Sequence, residues 1–168
     1  MFKVLDEACE PVRATEFSAY VDLCSREEMI IRPSETKIVP LGVIIDLDKL
    51  KEELSFNYGT KSEAAEESMF KTFMSSNYLE VAIRSSLSAK YGLVIANGSG
   101  KVDLDYPKEL GVIIHNPIKH SDKNSLEPNF LIKKGDRVAQ CTLVPHNGWA
   151  MGYESKEKRT GGFGSTGK

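Results

Sequence analysis

Three stretches of this 168-residue chain carry side chains whose types and spacing could do chemistry. The first lies near the C-terminus: Arg159-Thr160-Gly161-Gly162-Phe163-Gly164-Ser165-Thr166-Gly167. An arginine offers a planar fork of donors suited to phosphate oxygens, and Phe163 offers a π face. Glycine-rich backbone lets N–H groups approach an anion closely. A ligand aromatic at one end and anionic at the other fits this set, and a nucleotide is the economical candidate. Gly162 to Lys168 also matches G-x-x-x-x-G-K of a phosphate-binding loop. That motif needs a following Ser or Thr and a helix N-terminus facing the phosphates. Neither follows Lys168 in the sequence, so a P-loop fold is not expected.

The second stretch is Arg84-Ser85-Ser86-Leu87-Ser88. An arginine with two hydroxyls after a strand makes a phosphate-binding turn, and equally an ordinary surface arginine beside a serine-rich turn. The third is Asn97-Gly98-Ser99-Gly100-Lys101-Val102-Asp103-Leu104-Asp105-Tyr106. A glycine-bearing turn followed by polar–apolar alternation reads as one arm of a β-hairpin. On an extended arm Asp103 and Asp105 share one side, and Val102, Leu104 and Tyr106 the other. The two aspartates suit a metal pair, a general base with its neighbour, or solvated polar positions.

The elements that must position these residues are mostly short strands. Lys37–Leu47, Tyr91–Ala96, Leu110–His115 and Arg137–Val144 are β-branched and apolar, separated by turn clusters such as Arg32-Pro33-Ser34-Glu35 and Lys133-Lys134-Gly135-Asp136. Pro40 and Gly42 predict an edge or bend within the first. Many short strands at regular spacing predict an all-β sandwich, barrel or jelly roll. Residues 48–78 break this pattern as a helical insertion. There Ala65, Met69, Phe70, Phe73 and Met74 recur at helical spacing, and Thr60 with Glu63 forms a capping box. Such a face predicts a lid packed on the barrel or on a neighbouring subunit, in preference to a device for binding a separate partner. Residues 1–150 are expected as one β domain and 151–168 as a flexible tail.

Composition narrows the classes. A formal net charge of −2 argues against a general nucleic-acid binder. No apolar run approaches a membrane span, and the N-terminus lacks a signal-peptide core, so a cytoplasmic protein is expected. Three widely spaced cysteines, Cys9, Cys24 and Cys141, and the histidines His115, His120 and His146 show no metal-ligand or disulfide pattern. Free thiols in a reducing compartment are expected.

Taken together and in order, five segments resemble the motifs of the trimeric dUTPase family. They are Ala19-Tyr20-Val21-Asp22-Leu23-Cys24-Ser25, Arg84-Ser85-Ser86-Leu87-Ser88, Asn97–Tyr106, Lys134-Gly135-Asp136-Arg137-Val138-Ala139-Gln140, and Arg159–Gly167. The third and fifth in one chain carry most of the specificity. The resemblance implies a distorted jelly-roll subunit of a homotrimer with shared sites, acting on dUTP with Mg²⁺. It implies that Asp103 activates the attacking water, and that Tyr106 lies under the deoxyribose. Asn97, Gly100, Lys101, Val102 and Gly111 would contact the uracil edge. Arg84, Ser85, Ser86 and Gln140 would hold phosphates, with Arg159 on the terminal one. Phe163 would cover the base, Gly164, Ser165 and Thr166 would donate to phosphates, and Asp22 would meet the metal through water. Two positions depart from the family pattern: Tyr20 stands where glycine is usual, and Pro107-Lys108 follows the third motif.

Two other functions compete. A dCTP deaminase shares the fold and an Arg-Ser-Ser segment, and Glu109 is the only nearby glutamate for its chemistry. A dUTP-gated regulator would act on a protein partner through the inserted helices at 48–78.

Overall fold

The computed structural model describes residues 1–59, 62–119, 129–152 and 162. Among the described residues, eleven strands run in the order β1 (Phe2–Val4), β2 (Val21–Cys24), β3 (Met29–Ile31), β4 (Thr36–Pro40), β5 (Val43–Ile45), β6 (Asn77–Ile83), β7 (Val94–Ile95), β8 (Gly100–Asp103), β9 (Gly111–His115), β10 (Phe130–Ile132) and β11 (Arg137–Pro145). Helices α1 (Leu47–Tyr58) and α2 (Glu63–Ser76) precede β6, and α3 (Ser85–Tyr91) follows it. The strands form a four-stranded sheet β2-β11-β6-β8, a three-stranded sheet β4-β9-β7, and the pairs β1-β5 and β3-β10. Every pairing is antiparallel. These small sheets enclose one core, as the all-β expectation required.

Alternation does the sorting. In β4, Ile38 is 47% exposed while its neighbour Val39 is fully buried with Val112 and Ile114 of β9. In β6, Leu79 and Val81 are buried, whereas Tyr78, Glu80 and Ala82 lie toward the other face. Between β4 and β5 the chain bends at Gly42, whose φ is +65°. A Cβ there would stand 2.5 Å from both Cβ and Sγ of Cys9, so conformation and space both require glycine. Glu109 accepts from the Gly42 N–H at 2.8 Å and pairs with Arg26 through Nε at 2.8 Å and Nη2 at 2.9 Å, bracing this bend. Cys9, Cys24 and Cys141 are buried free thiols, and burial pushes Cys141 up to about 12.

The expected strand over Tyr91–Ala96 shrinks to Val94–Ile95, because α3 runs through Tyr91 and closes on Gly92 at φ +67°. The insertion is two helices. Asp46 caps α1 by accepting from Lys49 N–H, and Gly59 ends it in the left-handed region. The cap of α2 is Ser62, which accepts from Ala65 N–H; the expected cap Thr60 lies outside the described residues. Met69, Phe70, Phe73 and Met74 pack on the core as their spacing predicts, while Ala65 is exposed. Leu50 and Leu54 bury the facing side of α1, and Lys51 bridges the pair by contacting Glu67 at 2.8 Å. The apolar face of α2 is thus occupied by its own chain. The insertion also ends earlier than 78: α2 passes directly into β6, to which Asn77 and Tyr78 belong.

Candidate active site

The turn after β7 carries Asn97 and Gly98, the latter at φ +78°. β7 pairs with β9, extended by Ala96 N–H donating to Ile113 O at 2.9 Å. β8 does not pair with β9 as a hairpin would. It pairs with β6, with Gly100 opposite Val81 and Asp103 opposite Tyr78. The expected hairpin therefore splits, each arm joining a different sheet, because β9 is already paired on both edges, by β4 and β7, while β6 has an edge open to β8. A cavity of about 170 Å³ lies where the arms part, and Asn97, Gly100, Lys101, Val102, Tyr106 and Gly111 all line it. Drug-sized pockets run roughly 300–1,000 Å³, so this one suits a single-ring base.

Tyr106 reaches the cavity through a turn. β8 ends at Asp103, and Tyr106 N–H donates to Asp103 O at 3.0 Å. Leu104 and Tyr106 are buried at 2% and 6% exposure, while Asp103 and Asp105 remain exposed. The turn keeps the sidedness expected of the arm. It sets an exposed carboxylate beside a buried ring at the cavity's edge. After the exposed Pro107-Lys108, the chain is recaptured by Leu110, whose N–H donates to Val43 O and whose carbonyl accepts from Leu41 N–H, both at 2.9 Å. The departure at Pro107-Lys108 is thus absorbed before Gly111.

The phosphate-binding candidates gather elsewhere. Direct pairing places Asp22 and Ala82 on either side of Gln140, so all three share one face of the four-stranded sheet. The same parity puts Glu80, Tyr78, Lys101 and Asp103 on that face, opposite the buried Leu79, Val81 and Cys141. Arg84 leaves the end of β6 with its N–H on Val138 O at 3.2 Å, and Ser85 and Ser86 open α3. The buried Asp22 carboxylate holds Arg84 Nε on one oxygen and Arg137 Nη1 on the other, each at 3.1 Å. Arg137 was not singled out in the sequence. Its place in Gly135-Asp136-Arg137, three residues before Gln140, was the available signal. Tyr20, in the position where glycine is usual, donates its hydroxyl to Glu80 at 2.6 Å on this face. That bond, with some burial, raises its phenol above the ordinary value.

Among the described residues, no group of three or more His, Cys, Asp or Glu could hold a metal ion. Both Asp22 oxygens are engaged by guanidiniums. The donor set therefore fits a cation that arrives on phosphate oxygens, not one caged by protein. Glu109, committed to Arg26 and Gly42, is absent from the cavity lining and is poorly placed for deamination. Arg159, Phe163, Gly164, Ser165 and Thr166 lie outside the described residues, whereas Gly162 lines the cavity. Among the described residues no helix is long and apolar enough to cross a membrane.

Comparison with known proteins identifies the family of the chain. A family profile described as dUTPase matches residues 78–167. The deoxyuridine 5'-triphosphate nucleotidohydrolase of Nautilia profundicola is 30% identical, aligning 99% of this chain with 96% of its own. That of Neisseria meningitidis serogroup B is 35% identical, over 98% of this chain and 94% of its own. Among solved structures, a mutant dUTPase from phage phi11 of S. aureus, which coordinates a structural Mg(II) ion, matches with a TM-score of 0.61. It covers 98% of both chains at 21% identity, a likeness that speaks to the fold alone. Profile and near-full-length relatives together place the chain in the dUTPase family.

Proposed function

We propose that this protein hydrolyses dUTP to dUMP and pyrophosphate, limiting uracil in DNA and supplying dUMP for thymidylate synthesis. The observation that carries the reading is the convergence of Asn97, Gly100, Lys101, Val102, Tyr106 and Gly111 on one small cavity edged by the Asp103 turn. Backbone groups of Lys101, Val102 and Gly111, with the Asn97 amide, read the uracil edge. A cytosine there would leave buried groups unpaired, a strong basis for rejection. A thymine methyl has little room in so small a space. Tyr106, buried beneath the sugar, leaves no place for a 2′-hydroxyl.

Asp103 accepts the proton of a water as its oxygen bonds to the α-phosphorus. The bond from that phosphorus to the α–β bridging oxygen breaks, and pyrophosphate departs with that oxygen. Arg84, Ser85, Ser86 and Gln140 hold the phosphate chain. Arg159 meets the terminal phosphate, Phe163 covers the base, and Gly164, Ser165 and Thr166 add donors. A Mg²⁺ bound by triphosphate oxygens and water would neutralise charge on the phosphates, with Asp22 reaching it through water.

The geometry also supports a homotrimer with shared sites. Asp22 lies opposite Gln140, which faces Ala82 on its other side, and Asp103 lies opposite Tyr78; the strands β2 and β8 are the two edges of the sheet. Three strand spacings across and four residues along put Asp22 roughly 20 Å from Asp103. A triphosphate is far shorter, so the Arg84 cluster of one copy serves the cavity of another. We place the reaction in the cytoplasm, where nucleoside triphosphates are found, with no nucleic-acid or membrane partner. Pyrophosphate release measured across the four common deoxynucleotides, dUTP and UTP tests this reading. Release from dUTP alone is expected; comparable release from dCTP, dTTP or UTP, or ammonia from dCTP, overturns it.

A further inference from the structure

The backbone of Gly162 lies against the edge of Tyr106 in the nucleoside cavity. A Cβ built on Gly162 would stand 2.5 Å from Tyr106 Cε2, 3.2 Å from Cζ and 3.3 Å from the hydroxyl oxygen. Among the described glycines only Gly42 is equally crowded, and Gly42 also has a positive φ that asks for glycine by itself. Gly162 has no such φ, so space and not conformation demands the missing side chain. The ring is poorly able to yield. Tyr106 is 6% exposed, its N–H is bound to Asp103 O, and it belongs to the core that includes Leu104 and Leu110.

We propose that Gly162 is a specificity-determining residue: its bare backbone and the edge of Tyr106 form one wall of the cavity, so a single contact sets the position of the ring. This rests on the reading of Tyr106 as the residue beneath the deoxyribose. A ring held at its depth by Gly162 leaves no space at the 2′ carbon. A methyl group at 162 overlaps Cε2 and must displace the ring or the backbone that faces it. Displacement of the ring admits a 2′-hydroxyl, and displacement of the backbone opens the wall that confines the sugar. Either movement weakens the choice between dUTP and UTP.

Kinetics of Gly162→Ala with dUTP and UTP, in the unmodified chain and in a Tyr106→Ala background, tests the contact. In the unmodified chain the substitution is expected to lower kcat/KM for dUTP about tenfold and to reduce the dUTP:UTP selectivity at least about threefold. In the Tyr106→Ala background, where nothing stands at 2.5 Å, it is expected to cost less than about twofold. An equal cost in both backgrounds, no cost in the unmodified chain, or lost turnover with unchanged selectivity would each overturn the proposal. Tyr106→Leu serves if Tyr106→Ala does not fold, since it fills the core yet withdraws Cε2. The sugar reading fails separately: Tyr106→Ala alone would then leave the dUTP:UTP ratio where it was.

Discussion

Chains carrying Arg84→Ala and chains carrying Asp103→Asn are each expected to lose activity by about a hundredfold or more on their own. Unfolded, mixed in equal amounts and refolded together, they are expected to regain activity. The reason is geometric. Asp22, which grips Arg84 at 3.1 Å, and Asp103 occupy opposite edges of one sheet face. If each site combines the Arg84 cluster of one copy with the Asp103 turn of the next, the two lesions fall in different sites of a mixed ring. Random association makes about three trimers in four mixed, and each mixed trimer holds one intact site of its three, so recovery approaches about one quarter of the unmodified activity. The assay is pyrophosphate release from dUTP, with native mass spectrometry confirming that mixed trimers formed. Mixed trimers with no more activity than the two parents would refute the reasoning, because each chain would then build its own site.

Asp103→Asn alone is expected to bind a non-hydrolysable dUTP analogue with affinity within about threefold of the unmodified protein while turnover falls by about a hundredfold or more, as calorimetry and kinetics together would show. Weak analogue binding would reassign Asp103 from proton acceptor to ligand holder. Gly42→Ala is expected to destabilise the fold by about 2–4 kcal/mol, because an unfavourable positive φ adds to the overlap with Cys9. Denaturant unfolding measures this, and a loss below about 0.5 kcal/mol would contradict it. The Tyr20 phenol is raised by donating to Glu80. Its bond therefore supports the fold fully below the ordinary phenol value of 10.0 and is lost as pH rises through the higher folded value. Melting temperatures of the unmodified protein and Tyr20→Phe should differ near pH 8 and converge toward pH 11; a constant gap across that range would count against the bond.

The residues of the cavity were legible in the sequence because their information is local. Asn97, Gly100 and Tyr106 sit within one short run whose turn and alternation can be read without knowing what lies beside it. What that run pairs with could not be read. The split of the expected hairpin depends on β6, and nothing between Asn97 and Gly111 announces that β8 prefers it. Alternation puts Tyr106 on the opposite side from Asp103, and the burial follows it even though the chain turns at the Asp103 carbonyl. The role of Arg137 is not legible locally, since its partner Asp22 is 115 residues away. The helical insertion was visible from Met69, Phe70, Phe73 and Met74, whose spacing reports burial. Its end lies before the expected residue 78 because Asn77 and Tyr78 suit a helix end and a strand start equally well.

The seamless passage from α2 into β6 has a mechanical consequence. With no loop between Ser76 and Asn77, there is no hinge to dissipate a twist of the helix. A torque applied to α2 is delivered to Tyr78, the residue that lies across from Asp103. The two helices therefore behave as a lever welded to the sheet edge that carries Asp103 and not as a detachable cassette. An excision through residue 78 would amputate the start of β6. A graft that joins Asp46 to Asn77 through a short turn would keep the strand and remove only the lever arm.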